Sequence, residues 1–436
     1  MGGSGRGRPG VGQLTPPPSQ PGPAGIRAAA AAHLAELEPT LLALSHQIHA
    51  HPELRFEEFR ASQAVAEQLS ACGFEVALGA GSMPTALVAT TRLGSGVGPV
   101  VDLLCEYDAL ESIGHACGHN LIAAAGVGGG VVAARTLAGT PGVSGTIRVV
   151  GCPGEEGGGG KIRLLEAGVF STTSAALMVH PAGFDSVRGP GLGRALYEFA
   201  FSGRGAHAAA APEEGINALD AATLMLVAIG LLRQQLRSDS RVHAVIAEGG
   251  QAVNVIPARA TVRAGIRSPD SRYLAERLIP AVTRCARGAA LATGAEVAEI
   301  ELAPEYHPMR SAPALEELLL GLFTELGRHP DAADDAAAFL GGSTDMGNVS
   351  EAVPSIHPYL RLAPGVHPHS LEFAQLAGST AGDRMAMDGA LLLGMTAVAL
   401  LTQPDWLARA SLQLRGPGGV GGAGGSLGGS SPALGV

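Results

Sequence analysis

The feature that most constrains the fold is a short turn, Ile-Gly-His-Ala-Cys-Gly-His-Asn-Leu at 113–121, set between two apolar runs. Ahead of it, Val-Val-Asp-Leu-Leu-Cys is a near-continuous apolar strand closed by Glu106 and Asp108. That pattern belongs to a strand covered on both faces, as in a parallel sheet. Behind the turn, residues 121–138 are small and apolar and read as a buried helix. Strand, turn and helix in this order put His115, Cys117 and His119 where open α/β sheets carry their sites. A thiolate beside imidazoles suits a borderline cation such as zinc. The same residues also suit one reduced cysteine packed beside two hydrogen-bonded histidines, so the turn alone leaves both readings open.

Later strand ends favour the metal. Residues 146–152 form an apolar strand that runs into Pro-Gly-Glu-Glu-Gly-Gly-Gly-Gly-Lys. A phosphate loop would need glycine at 155 and serine or threonine at 162, where Glu155 and Ile162 stand. Paired carboxylates repel phosphate but suit a metal ligand next to a general base. Residues 175–179 form a short strand that delivers His180. Three successive strand ends therefore carry ligand types, which independent accidents do not readily produce. His367 and His369 fall in a late loop. His46, His49 and His51 precede Pro52 without a closed set of partners and are assigned to packing or capping.

A chain of 436 residues, 46% hydrophobic, has room for two or more domains. Between 189 and 303 the rhythm changes to β-α-β-β-α-β, the order of a ferredoxin-like sandwich. Its strands fall at 195–202, 241–247, 260–266 and 296–302, its helices at 215–236 and 270–292. Pro280 should kink the second helix. The predicted fold is α/β: residues 26–188 and 304–412 build a mixed, mostly parallel sheet flanked by helices, and 189–303 is inserted as a lid or dimerisation domain. The Gly/Pro-rich ends, 1–25 and 413–436, are expected to be disordered.

A net charge of −10 argues against a nucleic-acid partner. The glycine-broken apolar runs suit buried elements better than a membrane span. Five unpaired-looking cysteines and an N-terminus without an apolar signal core give a cytoplasmic expectation.

The ordered motifs Ile-His-x-x-Pro-Glu-Leu, Glu-Tyr-Asp-Ala-Leu, Gly-His-Ala-Cys-Gly-His-Asn, Pro-x-Glu-Glu, His-Pro, Gly-x-x-His, Asn-Val-Ile-Pro and a late His-Ser resemble the di-metal peptidases and amidohydrolases of the aminoacylase and carboxypeptidase type. The resemblance runs from about residue 46 to 402. Gly-Gly-Ser-Thr-Asp-Met-Gly-Asn-Val-Ser points to the branch of the Xaa-Arg (β-alanyl-lysine) dipeptidases and p-aminobenzoyl-glutamate hydrolases.

The resemblance implies two divalent ions, zinc or manganese with cobalt as a third choice, held by Cys117, His119, Glu156, His180 and His369. Cys117 takes the place of a bridging aspartate. Glu155 is then the general base, Asp108 orients a ligand and His207 stabilises the oxyanion, often across a homodimer. Asn254 and Arg267 hold the substrate's carboxylate end. His369 is chosen over His367 because Ser-Leu-Glu-Phe follows it, and His115 is left outside the ligand set.

The implied activity is amide hydrolysis, first of dipeptides ending in a basic residue, second of N-acyl or p-aminobenzoyl amino acids. The competing class is a metal-holding scaffold without turnover; loss of the base, a ligand or Arg267 would mark it, and none is lost. Glu111 and Arg204 replace a usual proline and lysine. Glu213, Glu214 and Asp345 could meet a basic side chain but read better as exposed acids.

Overall fold

The computed structural model describes residues 23–189, 191–331 and 342–415. The larger sheet contains β1 (Glu75–Leu78), β2 (Leu87–Leu93), β3 (Val100–Cys105), β4 (Gly145–Gly151), β5 (Ala175–Leu177) and β11 (Ser355–Ile356). Their order is β1-β2-β4-β3-β5-β11. The pairings from β4 through β3 and β5 to β11 are parallel, and those that attach β2 and β1 are antiparallel.

The apolar run in β3 has a simple cause. Val101, Leu103 and Cys105 feed the core on one face, while Leu104 feeds a second cluster on the other. Each fully buried side chain of this kind contributes roughly 1.5–3 kcal/mol. The first face is covered by helices His119–Leu137, Thr380–Thr402 and Pro23–Ala50. Glycines let the first two approach closely: a Cβ on Gly129 would sit 2.7 Å from Leu393 Cβ. Both helices are long and apolar enough to cross a membrane, yet 83% and 78% of their apolar windows are buried inside the molecule.

The second sheet contains β7 (Gly193–Ser202), β8 (Arg241–Glu248), β9 (Arg259–Ser268) and β10 (Glu296–Tyr306), in the order β10-β7-β9-β8. All three pairings are antiparallel. Ala195, Phe199 and Phe201 of β7 alternate inward onto helices Ala218–Leu232 and Ile279–Thr293. The expected kink at Pro280 takes another form. The preceding turn, Leu274–Leu278, is wound as a π-helix, and Pro280 enters in the first turn of Ile279–Thr293, where a missing N–H costs little.

Several expectations need adjustment. The first helix starts at Pro23, ahead of residue 26, and continues through His46 and His49 to Ala50. A final helix, Pro404–Arg415, enters the segment expected as the C-terminal tail. The rest of the two expected tails, 1–22 and 416–436, lies outside the described residues. Residues 355–361 carry two short strands: β11 pairs with β5, then β12 (Tyr359–Arg361) pairs with β6 (His180–Ala182).

Candidate metal centre

The last turn before helix His119–Leu137 is tight because Gly118 adopts a left-handed conformation (φ 74°). A Cβ there would meet Pro181 Cγ at 2.6 Å, so the turn lies directly against β6. That contact brings Cys117 Sγ to 3.5 Å from His180 Nε2. The ligand atoms of Cys117, His119 and His180 lie within 4.8 Å of one another, as do those of Cys117, Glu156 and His369. These two sets could together hold two divalent cations. His119 Nε2 and Glu156 Oε1 are buried and make no hydrogen bond, so each offers an unspent acceptor to an ion. All five expected ligands are thus gathered at one place.

Their orientation is fixed from outside. His119 Nδ1 donates to Asp108 Oδ1 at 2.9 Å, which turns Nε2 toward the cluster. Asp108 Oδ2 also accepts from the Glu156 N–H at 2.9 Å, so one carboxylate sets two ligands. His180 Nδ1 donates to the Pro181 carbonyl at 2.7 Å and leaves Nε2 toward Cys117. His369 sits in left-handed backbone (φ 64°), strained for a non-glycine residue, and its N–H donates to the Ala116 carbonyl at 2.8 Å. His369 Nε2 stands 3.4 Å from Glu156 Oε1.

Glu155 lies at the foot of the cleft, with Oε2 4.0 Å from His119 Nε2. Burial, then the carboxylates of Glu106, Glu156 and Asp345, push its carboxyl well above the ordinary range. Behind it is a buried ion cluster. The Lys161 ammonium contacts Glu106 and lies 2.6 Å from Asp345 Oδ1. Asp345, expected as an exposed acid, is completely buried. Glu213 and Glu214 are exposed, as expected.

The inserted domain reaches this site through β10. The Tyr306 hydroxyl donates to the Glu155 carbonyl at 2.6 Å and accepts from the Gly159 N–H at 3.0 Å. A cleft of about 370 Å³ opens above the cluster, lined among others by Arg194, Arg267, Ser343, His357 and Tyr359. Arg267 Nη1 donates to Ser343 Oγ at 2.9 Å. His207 and Asn254 lie elsewhere: both are exposed, on paired loops where the Ala208 N–H donates to the Asn254 carbonyl at 2.9 Å. Neither is among the described residues that line the cleft.

His115 stands outside the cluster. Its Nε2 meets the Ile48 carbonyl at 3.0 Å, and burial lowers its pKa to about 3. His46, His49 and His51 contact Asp383, the Ala374 carbonyl and the Gln47 carbonyl, which are packing and capping roles.

Sequence reasoning read Glu106 as a ligand type at the end of β3, where it contacts Lys161, and missed Lys161, Tyr306, Arg194 and His357 as parts of the site. His357 is buried, both ring nitrogens lack hydrogen-bond partners, and its ring centroid is 5.7 Å from that of His180. A signal for it was present: His180-Pro181 and His357-Pro358 repeat one dipeptide at the breaks of neighbouring strands.

Comparisons with known proteins agree with this geometry. A family described as the peptidase dimerisation domain matches residues 192–287. The Xaa-Arg dipeptidase of Mus musculus is 35% identical over 414 residues, 91% of this chain and 95% of its own length. A component of the p-aminobenzoyl-glutamate hydrolase of Escherichia coli is 37% identical over 57% of this chain and 55% of its own. A dinuclear metal binding peptidase of the M20 family from Bacillus subtilis superposes with a TM-score of 0.64 at 21% identity, over 84% of this chain and 99% of that one. With 35% identity to a dipeptidase over nearly its full length and a matched dimerisation domain, the chain belongs to the M20 family of metal-dependent peptidases.

Proposed function

We propose that this enzyme cleaves the amide bond of a small substrate that ends in a free carboxylate. The first reading is a dipeptide with a C-terminal basic residue, of the Xaa-Arg, Xaa-Lys or β-alanyl-lysine type. The observation that carries it is the convergence of Cys117, His119, Glu156, His180 and His369 beside Glu155, in a chain 35% identical to an Xaa-Arg dipeptidase. The second reading, an N-acyl or p-aminobenzoyl amino acid, draws on the likeness to the p-aminobenzoyl-glutamate hydrolase component.

The five residues named would hold two divalent ions, zinc, manganese or cobalt. Such ions lower the pKa of water and polarise an amide carbonyl. Glu155 takes a proton from water and returns it to the leaving amine. Asp108 keeps His119 in the tautomer that presents Nε2. Arg267 grips the carboxylate end of the substrate.

His207 and Asn254 are exposed and do not line their own cleft, so in this reading they serve the cleft of a second subunit, His207 donating to the oxyanion. A homodimer through the inserted domain, in the cytoplasm, completes the proposal. The test is hydrolysis of β-alanyl-lysine, an Xaa-Arg dipeptide and p-aminobenzoyl-glutamate, with chelator and after metal is restored. Loss in chelator and recovery with zinc, manganese or cobalt is expected. Hydrolysis that chelator leaves untouched overturns the reading.

A further inference from the structure

One end of the cleft carries two guanidinium groups side by side. Arg194 on β7 and Arg267 on β9 are direct register partners, and Tyr306 on β10 is paired to Arg194 on the other side. All three line the cleft, on the face of the sheet turned away from its helices. Like charges opposite each other on antiparallel strands repel, and partial burial strengthens that repulsion. Burial and the Arg194 charge both lower the proton affinity of Arg267. The only carboxylates lining the cleft, among the described residues, are Glu155 and Glu156, which belong to the metal cluster.

Arg194 is also unspent. Its Nε and Nη2 are buried and have no hydrogen-bond partner. Its guanidinium carbon lies 4.0 Å from the centre of the Tyr306 ring, which fixes the plane of the fork. Nε and Nη2 form the edge that meets a carboxylate through two parallel hydrogen bonds. Arginine cannot escape the cost by losing its charge. An anion brought in from outside relieves both the repulsion and the unsatisfied donors.

We propose that Arg194 is a second guanidinium for the substrate's α-carboxylate, closing on it together with Arg267. The assignment rests on the amide-hydrolase reading and names a residue that neither the sequence motifs nor the family resemblance supplied. Tyr306 links this anchor to the chemistry. Its ring carries Arg194 and its hydroxyl holds the Glu155 carbonyl, so anchor and base are set by one side chain. The cleft thereby selects substrates whose carboxylate belongs to the residue released.

The experiment measures binding without turnover. In a Glu155→Gln background, calorimetry compares Ala-Arg with its C-terminal amide, with and without Arg194→Gln. The acid should weaken about tenfold or more, the loss of one charge-assisted pair, and the amide should change little. Arg194→Lys, which keeps the charge but loses the fork, should recover part of the loss. In otherwise unaltered enzyme, Arg194→Gln should raise KM for the acid far more than it lowers kcat.

Equal weakening of acid and amide, or no weakening of either, overturns the proposal. So does a loss seen with Ala-Glu but not with Ala-Arg, because Arg194 would then read a side-chain carboxylate. An unaltered enzyme that cleaves none of these peptides fails the hydrolase reading and takes this assignment with it. One that cleaves them, and keeps its preference for acid over amide without Arg194, fails this assignment alone.

Discussion

Lys161 is the only lysine in the chain, and it is completely buried between Glu106 and Asp345. Its backbone N–H also donates to Asp345 at 2.9 Å, so the loop that carries Glu155 is braced twice against the turn before helix Met346–Ala352. Lys161→Met would leave two buried carboxylates without a counter-charge. The expected loss of folding stability is about 3–5 kcal/mol, read as a fall in the urea midpoint. An unchanged midpoint would show that the cluster relaxes around the vacancy. Glu155→Gln tests a different role. Turnover should fall by about 10²- to 10⁴-fold while bound metal stays the same. A mutant with near-normal turnover would remove Glu155 from the proton transfer.

At the scale of elements, strand ends do most of the positioning. The close of β3, the end of β4 and the start of β6 deliver Asp108, Glu155 with Glu156, and His180. These were legible because each strand is a short apolar run and the ligand types stand at its end. His369 was legible only through its resemblance, since its loop has no periodicity. Arg194 was not legible, because its importance comes from cross-strand register with Arg267, which no single strand encodes. Asp345 was misread for a related reason: an acid in a Gly/Ser/Thr turn looks solvated until its partner, Lys161, is known.

The two sheets are joined near His307, which follows β10 and whose Nδ1 lies 2.7 Å from Glu351 of helix Met346–Ala352. The hydrogen bond to Glu351 raises the His307 pKa above 6.5, while burial of Glu351 is outweighed by the His307 bond and charge together with Ser271 and Arg310, so its carboxyl falls below 4.5. A raised histidine contributes fully below its unfolded value and is lost as pH rises through its folded value. A depressed carboxylate contributes above its unfolded value and is lost as pH falls. The pair should therefore stabilise most between about pH 4.5 and 6.5. His307→Ala should lower the melting temperature at about pH 5.5 and have little effect at about pH 9. An effect of equal size at both pH values would assign the loss to packing.

At the scale of the whole molecule, the proposed homodimer is open to direct test. The inserted domain holds the segment matched by the peptidase dimerisation family, and His207 and Asn254 lie exposed on it. Sedimentation should return about twice the 43.8 kDa chain mass. If His207 works across the interface, His207→Ala and Glu155→Gln chains, each inactive alone, should regain activity when mixed and allowed to exchange. Exchange without recovery would confine His207 to its own subunit.

Elemental analysis of the purified protein tests whether the cluster between the strand ends holds two metal ions. After equilibration with zinc or manganese and removal of free ion, the protein should hold two equivalents per chain, and Cys117→Ser should hold fewer. A folded wild-type protein that retains no divalent metal, or a Cys117→Ser protein with a full complement, would rule out a two-metal centre at Cys117.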